Sequence, residues 1–207
     1  MARTKSSKRW LQRHVTDRYV KQARSQGYRS RAAYKLLEID KRDKLLKPGM
    51  RVLDLGAAPG GWSQVAAQKV KPSGVVIALD LLEIAPIPGV TVFRGDFHDP
   101  RVREQMTASL GGKADVVLCD MSPNISGIAA TDQARAAELV RTAIGFCREH
   151  LKPGGAFLAK VFQGEEFEAV VRAMRETFRE VQVRKPAASR GESRETYLIA
   201  RGLRAAA

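Results

Sequence analysis

The stretch VLDLGAAPGGW, residues Val52–Trp62, has the pattern of a buried strand, a glycine-rich turn and the start of a helix. Small residues in such a turn let the backbone approach a ligand at the carboxyl end of the strand, beside free helix N–H groups. The glycines lack the G-x-G-x-x-G spacing of a dinucleotide site, and Gly61 is followed by Trp62 rather than by the lysine of a phosphate loop. Pro59 also removes one N–H donor. The turn therefore predicts a ligand without a pyrophosphate.

Strands and helices alternate on both sides of this stretch. The pattern predicts seven strands, at Arg51–Leu55, Val75–Asp80, Val90–Arg94, Ala114–Cys119, Gly155–Val161, Val181–Lys185 and Glu195–Ala200. It predicts helices at Arg31–Leu46, Gly61–Val70, Asp99–Ser109, Thr131–His150 and Glu166–Thr177, and a short helix between Trp10 and Tyr19. Apolar strands without alternation, separated by helices, are typical of a doubly wound, mostly parallel α/β sheet. The loop Pro186–Arg194 is too short for a parallel crossover, so we expect the last two strands to pair antiparallel.

Three acidic side chains lie at or near the carboxyl ends of the first three strands. Asp80 follows the turn by roughly the 20 residues expected of an acid that binds ribose hydroxyls. Asp96 is placed to accept a hydrogen bond from an adenine amino group, and Asp54 stands just before Gly56 in the first strand. Any one of these acids alone is more simply a helix cap or a turn residue. Together they favour a cationic adenosine ligand, S-adenosylmethionine, held by Asp54, Gly56, Asp80 and Asp96.

The segment after the fourth strand, LCDMSPN at 118–124, bears on the type of methyl transfer. Methyltransferases that act on base amino groups carry an aromatic residue here to stack on a flipped base, and this segment has none. Methylation of a base carbon needs a cysteine nucleophile. Cys119 is expected on the face opposite Asp120, and Cys147 lies deep in a helix, so we expect both to be buried small hydrophobes.

Two lysines occupy unusual positions. Lys160 closes an apolar strand, although lysine is rarely buried without a partner, and Lys35 lies among apolar residues of the first long helix. Asp120 closes the fourth strand and Glu195 opens the last one. These four residues form either a structural ion-pair cluster near the sheet edge or a catalytic group, and the residues alone leave both interpretations open.

The net charge of +14 is concentrated at the N-terminus. Residues 1–50 carry 15 basic and 4 acidic side chains, a net +11, whereas residues 51–207 carry 21 and 18, a net +3. Such a basic segment favours a polyanionic partner, nucleic acid first and an anionic membrane surface second, with a mitochondrial transit peptide as the competing interpretation. Its aromatic residues Trp10, Tyr19 and Tyr28 could stack on exposed bases.

Composition excludes several classes of protein. Two cysteines cannot form a disulfide framework, and with three histidines and no Cys-x-x-Cys we expect no metal site. There is no uncharged apolar run of the ~20 residues that a membrane span needs, and no signal-peptide pattern. We therefore expect a cytoplasmic protein without a membrane segment, and we expect it to be a monomer.

Over its whole length the chain resembles the FtsJ/RrmJ-type bacterial ribosomal RNA ribose 2′-O-methyltransferases. The motifs that carry the resemblance are Trp10–Leu11, Ser30–Leu36, Asp54–Gln64, Asp120–Gly127, Lys160–Gly164 and Ser193–Tyr197. The resemblance implies a Rossmann-like class I methyltransferase fold and a catalytic tetrad of Lys35, Asp120, Lys160 and Glu195. It implies cofactor contacts at Gly60, Trp62, Asp80, Asp96 and Asp120.

The resemblance also implies a substrate: a uridine ribose in the A-loop of large-subunit (23S) ribosomal RNA, methylated on the assembled subunit. Residues 1–30 would then be a basic RNA-binding extension and residues 31–207 the methyltransferase domain. Lys160 would accept the proton of the 2′-hydroxyl. A neighbouring cation and partial burial favour the neutral lysine that this requires, whereas the nearby carboxylates oppose it. Two other functions stay open, a nicotinamide-dependent oxidoreductase and a ribosome-assembly factor with a vestigial cofactor pocket.

Overall fold

Seven strands form a single sheet in the computed structural model, which describes residues 16–124 and 126–204. The strands are β1 Arg51–Leu55, β2 Val75–Asp80, β3 Val90–Arg94, β4 Ala114–Cys119, β5 Leu151–Phe162, β6 Phe178–Arg184 and β7 Glu195–Leu203. Their order in the sheet is β3-β2-β1-β4-β5-β7-β6. The chain leaves β1 toward β2 on one side and later returns to place β4 on the other. This reversal is the switch point at which open α/β sheets bind ligands, beyond the carboxyl ends of the strands.

Helices cover both faces of the sheet. They are α1 Arg18–Ser25, α2 Ala32–Asp43, α3 Gly61–Val70, α4 Pro100–Leu110, α5 Ala129–His150 and α6 Phe167–Thr177. Helices α2 and α3 pack on one face, and α4, α5 and α6 pack on the other. Because both faces are covered, Val52, Leu53 and Leu55 of β1 are fully buried, which explains the apolar run without alternation. The predicted doubly wound fold is confirmed. No helix in the described ranges is long and apolar enough to cross a membrane.

Strand β7 runs antiparallel between β5 and β6, which confirms the antiparallel pair expected at the end of the chain. Its register with β5 places Tyr197 opposite Lys160 and Glu195 opposite Phe162. Since β7 runs against β5, the start of β7 lies at the same sheet edge as the end of β5. The edge that carries the ends of β1, β2 and β4 therefore also receives Glu195.

Some predicted boundaries are wrong, and the error at the end of α2 has a local cause. Helix α2 ends at Asp43 rather than Leu46, because Lys44 adopts a left-handed conformation with φ 52° and Leu46 N–H donates to the Asp40 side chain at 2.8 Å. Leu45 and Leu46 are buried in the core although they lie beyond the end of the helix. Their apolar side chains continued the helical pattern of the sequence, and the prediction therefore placed the end of the helix too late. Strands β5 and β6 begin earlier than predicted, at Leu151 and Phe178.

The helix predicted between Trp10 and Tyr19 lies mostly outside the described residues, and the first helix that the structure describes in full follows it. Helix α1 starts at Arg18, where the Asp17 side chain caps it by accepting the Tyr19 N–H at 2.9 Å. Trp10 lies outside the described residues. Helix α1 packs on α2 through Ala23 and Tyr34, so this part of the N-terminal segment lies against the rest of the fold.

Trp62 is the side chain whose removal tests the packing between α2 and α3. It is 2% exposed, and its indole Nε1–H donates to the Ala32 carbonyl at 2.8 Å. We expect Trp62→Ala to lower the free energy of unfolding by about 3–5 kcal/mol, the usual cost of truncating a buried aromatic residue. Urea denaturation measures this change. Leu82→Ala, at a residue that is 67% exposed, is the control and should stay within ~0.5 kcal/mol of wild type. A Trp62→Ala protein as stable as that control would contradict the assigned packing.

Candidate active site

A cleft of about 340 Å³ opens at the carboxyl edge of the sheet, beyond β1, β2 and β4. Five of the residues predicted from the sequence line it: Gly56, Asp80, Asp96, Asp120 and Lys160. Backbone topology explains this, because parallel strands end at the same edge and each of the first four of these residues lies at or just beyond a strand end. The structure thus brings four of the seven predicted cofactor residues, Asp120 among them, and two of the predicted catalytic residues, Asp120 and Lys160, to one cavity.

Asp80 joins two walls of the cleft. Its Oδ2 accepts a hydrogen bond from Ala58 N–H at 2.8 Å, and its Oδ1 accepts one from Leu82 N–H at 2.9 Å. Asp96 makes a similar local bond, accepting His98 N–H at 2.8 Å. Both acids therefore have the turn-forming role that the sequence left open, and both also line the cleft. A carboxylate offers about four acceptor positions, so these bonds leave acceptor capacity for a ligand.

Two glycines of the turn are required by close packing. Gly56 has φ +75°, and a Cβ atom there would lie 2.6 Å from the backbone of Met121, which follows β4. Gly60 has φ +108°, and its Cβ would lie 2.5 Å from Cδ1 of Ile87. Glycine adopts these left-handed conformations without steric cost. The turn therefore packs closely against the segment after β4 on one side and against the loop after β2 on the other.

Asp54, Gly60 and Trp62 were predicted to contact a cofactor, and none of them lines the cleft. Asp54 is fully buried behind the turn, where Ser63 Oγ–H donates to its Oδ2 at 2.5 Å. The Trp62 ring packs against Tyr197, with ring centroids 5.7 Å apart, and its indole N–H donates a hydrogen bond to the Ala32 carbonyl. These residues support the cleft from the protein interior. A direct cofactor contact from any of them stays a prediction.

Lys160 and Asp120 form an ion pair at the floor of the cleft. The distance from Lys160 Nζ to Asp120 Oδ1 is 3.1 Å, and Nζ also donates to the Asp120 backbone carbonyl at 2.8 Å. The Oδ1 contact lacks hydrogen-bond geometry and is therefore an electrostatic one. Lys160 is only 8% exposed. A buried lysine needs a partner of opposite charge to offset the loss of its hydration, and Asp120 provides one for Lys160 near the end of the apolar strand β5.

Lys35 and Glu195 form the second ion pair, with 2.6 Å between Nζ and Oε1. The same carboxylate oxygen accepts hydrogen bonds from Ser189 Oγ–H at 3.0 Å and from the Tyr197 hydroxyl at 2.9 Å. Burial acts to raise the pKa of Glu195, but the Lys35 charge and the donated hydrogen bonds outweigh it and lower the pKa below its usual value. Glu195 is therefore held as a carboxylate.

Tyr197 was missed as a site residue in the sequence. Burial, followed by the negative charges of Asp120 and Glu195, raises the pKa of its hydroxyl well above the usual value. Tyr197 therefore stays a neutral donor to Glu195, opposite Lys160 in the sheet register. The Lys35 ammonium lies 5.9 Å from the centroid of its ring. The alternation of a β-strand places residues two apart on one face, and this spacing from Glu195 was the available signal.

The two cysteines are buried, as predicted. Burial raises the pKa of Cys119 to about 12 and that of Cys147 well above its usual value. A thiol that keeps its proton is a poor nucleophile. Cysteine-based methylation of a base carbon is therefore not supported. Within residues 16–124 and 126–204, no group of three or more His, Cys, Asp or Glu side chains could hold a metal ion.

Aromatic residues near the N-terminus are occupied within the protein. The rings of Tyr19 and Tyr28 both pack on Tyr34, at centroid distances of 5.5 and 5.7 Å. The Tyr19 hydroxyl donates to Glu38 and the Tyr28 hydroxyl to Gln68, each at 3.1 Å. The hypothesis that these two rings stack on bases is therefore weakened, because stacking would compete with these contacts.

The strand order, the antiparallel β7 and the cleft beside the glycine-rich turn define a Rossmann-like methyltransferase of class I. The family model described as "FtsJ-like methyltransferase" matches residues 28–203. Two curated relatives, both called Ribosomal RNA large subunit methyltransferase E, are each 57% identical. The protein from Nitrosospira multiformis aligns over 99% of this chain and 100% of its own length, and that from Methylobacillus flagellatus over 96% and 97%. The chain belongs to the FtsJ-like methyltransferase family and is an enzyme of that class.

Solved structures agree with the fold. A ribosomal RNA methyltransferase from Plasmodium falciparum superposes with a TM-score of 0.75 at 27% identity, covering 85% of this chain and 98% of its own. Fibrillarin from Aeropyrum pernix, solved with natively bound S-adenosyl-L-methionine, gives a TM-score of 0.59 at 17% identity, covering 84% and 75%. With the family established, the nicotinamide-dependent oxidoreductase is excluded.

Asp54 gives a prediction about pH. Burial raises its pKa from 3.8 to about 7, an effect that the Ser63 hydrogen bond only partly offsets. Between these values the folded protein holds a proton that the unfolded chain has lost, so stability falls as the pH rises from about 4 to about 7. Asp54→Asn cannot ionise. We expect the free energy of unfolding of wild type to fall relative to that of Asp54→Asn as the pH rises from about 4 to about 7. Above about pH 7 the difference between the two proteins should stay constant.

Urea denaturation of both proteins at about pH 4.5, 6 and 8 measures this difference. Titrating groups distant from Asp54 are common to the two proteins, so their contributions cancel in the comparison, whereas Asp80 and Asp120 interact with the Asp54 charge and belong to the measured difference. Parallel pH profiles for wild type and Asp54→Asn would show that the Asp54 carboxyl titrates normally.

Proposed function

We propose that this enzyme uses S-adenosylmethionine to methylate the ribose 2′-hydroxyl of a uridine in the A-loop of 23S ribosomal RNA, on the assembled large subunit. The observation that carries the proposal is the Lys160–Asp120 ion pair, which borders the same cleft as Asp80 and Asp96. The substrate class is supported by the ribosomal RNA large-subunit methyltransferases to which the chain is 57% identical.

The chemistry of the cleft supports the cofactor. Asp80, Asp96 and Asp120 all line it, so a pyrophosphate would meet like charges, whereas a ligand with sulfonium and ammonium groups would meet opposite ones. Asp80 and Asp96 would hold the adenosine part of the molecule, and Asp120 the part near Lys160. The bound cofactor supplies an electrophilic methyl group. Fibrillarin, a structural neighbour, contains the same molecule.

The two ion pairs would prepare the ribose hydroxyl for reaction. A 2′-hydroxyl becomes a good nucleophile as its proton leaves. We propose that the Lys160 ammonium first releases a proton to solvent and that its neutral Nζ then accepts the proton of the hydroxyl. Asp120 orients Lys160 through two contacts, at its carboxylate and at its backbone carbonyl. Glu195, with Lys35 and Tyr197, fixes the other side of the site. Catalysis by such an arrangement depends chiefly on placing the hydroxyl in line with the methyl group.

A methylation assay tests the function directly. Large ribosomal subunits and naked ribosomal RNA from cells that lack this protein are incubated with methyl-labelled S-adenosylmethionine. We expect label on one uridine, in a linkage that resists alkali as a 2′-O-methyl ribose does, and faster labelling of subunits than of naked RNA. Label on a base, or none on either substrate, would contradict the proposal.

Lys160 is tested by two substitutions. Lys160→Ala should lower the single-turnover rate ~10²–10⁴-fold at saturating subunits, the usual contribution of proton transfer. Lys160→Arg should fail almost as badly, because a guanidinium keeps its proton at accessible pH. Cofactor affinity and thermal melts establish that each variant is folded. A Lys160→Arg enzyme with most of the wild-type rate would exclude Lys160 as the base, and would leave the ion pair with a structural role.

The basic N-terminus is tested by a truncation. Residues 1–15 contain five basic and no acidic side chains. If they bind phosphates, deleting them should weaken RNA binding and flatten its salt dependence, by roughly 0.7–0.9 in slope for each phosphate that is no longer neutralised. Filter binding between low and high salt measures the slope. An unchanged slope would show that these charges do not bind RNA.

A further inference from the structure

The side chain of Arg29 joins two segments of the chain through their backbone carbonyls. Its Nη1 donates to the carbonyl of Pro59 at 3.2 Å and to that of Ala85 at 2.6 Å, and its Nη2 donates to that of Pro86 at 2.6 Å. Pro59 belongs to the glycine-rich turn, whereas Ala85 and Pro86 belong to the loop between β2 and β3. A planar guanidinium has the divergent donors that such a three-carbonyl site needs.

The two segments that Arg29 joins are also walls of the cleft. Ala58 of the turn and Leu81 and Leu82 of the loop line it. On the cleft side Asp80 connects the same two segments, by accepting N–H bonds from Ala58 and Leu82. Arg29 does not line the cleft, so its carbonyl contacts hold the turn and the loop together from outside it.

The backbone of Arg29 is fixed on α3. Its N–H donates to Gln64 Oε1 at 2.8 Å, and Gln64 Nε2 donates back to the Gly27 carbonyl at 3.0 Å. The space around the side chain is also tight, because a Cβ atom at Gly60 would lie 3.3 Å from Arg29 Cδ. The guanidinium therefore projects from an anchored position.

We propose that Arg29 is a positioning residue for the cofactor, which keeps the glycine-rich turn and the β2–β3 loop at the spacing that S-adenosylmethionine requires. The inference rests on the proposed function for the identity of the ligand. It gives Arg29 a role distinct from the phosphate contacts expected of a basic segment, since its donors are directed at carbonyls of the protein. It also means that the segment before residue 31 is part of the cofactor-binding structure, and that removing residues 1–29 would weaken cofactor binding.

Calorimetry without RNA tests the role. We expect Arg29→Ala to weaken S-adenosylmethionine binding about tenfold, equivalent to ~1.4 kcal/mol, and Arg29→Lys to weaken it less, because an ammonium cannot span all three carbonyls. Arg172→Ala is the matched control, since it removes one positive charge from an exposed position on α6. It should bind within twofold of wild type. Asp80→Ala serves as a benchmark for loss of binding.

Hydrogen exchange of the cofactor-free proteins separates this inference from the proposed function. The backbone amides of residues 81–85 and of Ile87 should exchange faster in Arg29→Ala than in wild type or Arg172→Ala. If wild type does not bind S-adenosylmethionine, the proposed function fails while the exchange result still decides the role of Arg29 in holding the loop. Unchanged exchange together with unchanged affinity would overturn the inference. If Arg29→Ala does not fold, the same two measurements are made on Arg29→Lys. An Arg29→Lys protein with the cofactor affinity and the amide exchange of wild type would overturn the inference.

Discussion

The antiparallel pairing of β7 with β5 is the constraint on which the candidate catalytic group depends. Parallel strands alone bring Asp120 and Lys160 to the carboxyl edge, because β4 and β5 both end there. Glu195 begins a strand, and a parallel β7 would have placed it at the opposite edge. Reversal of β7 brings the start of that strand to the carboxyl edge of the parallel strands, in a register that puts Tyr197 beside Lys160. Four residues separated widely in the chain thus converge through strand direction.

Charge compensation then determines how these residues are arranged. Removing a lysine from water is costly unless an opposite charge replaces the lost hydration. The buried Lys160 and the partly buried Lys35 each have one carboxylate partner. Tyr197 belongs to the Glu195 pair, because its hydroxyl donates to Glu195, and the negative charge of Asp120 contributes to the raised pKa of that hydroxyl. Hydrogen bonds in such a network strengthen one another in a medium of low dielectric constant. The two interpretations that the sequence left open, a structural ion-pair cluster and a catalytic group, are both compatible with this arrangement.

The cofactor side of the site has a different physical basis. Here backbone groups dominate: Asp80 accepts two N–H groups, Arg29 donates to three carbonyls, and Gly56 and Gly60 permit close approach of neighbouring segments. Loops are usually the most mobile parts of a fold, and fixing them costs conformational entropy. Hydrogen bonds that join the loop backbones before a ligand binds reduce the conformational entropy that is lost on binding.

The sequence by itself determined the sheet, its antiparallel last pair and five of the residues that line the cleft. These follow from local patterns: apolar runs mark strands buried on both faces, and the end of each strand predicts which side chain reaches the ligand edge. Only the tertiary structure decided that Trp62 belongs to the core, that Asp54 lies buried behind the turn, and that Arg29 connects two loops. The physical reason is distance along the chain. The indole N–H of Trp62 finds its acceptor 30 residues away and the guanidinium of Arg29 finds one 57 residues away, so no local pattern contains either contact.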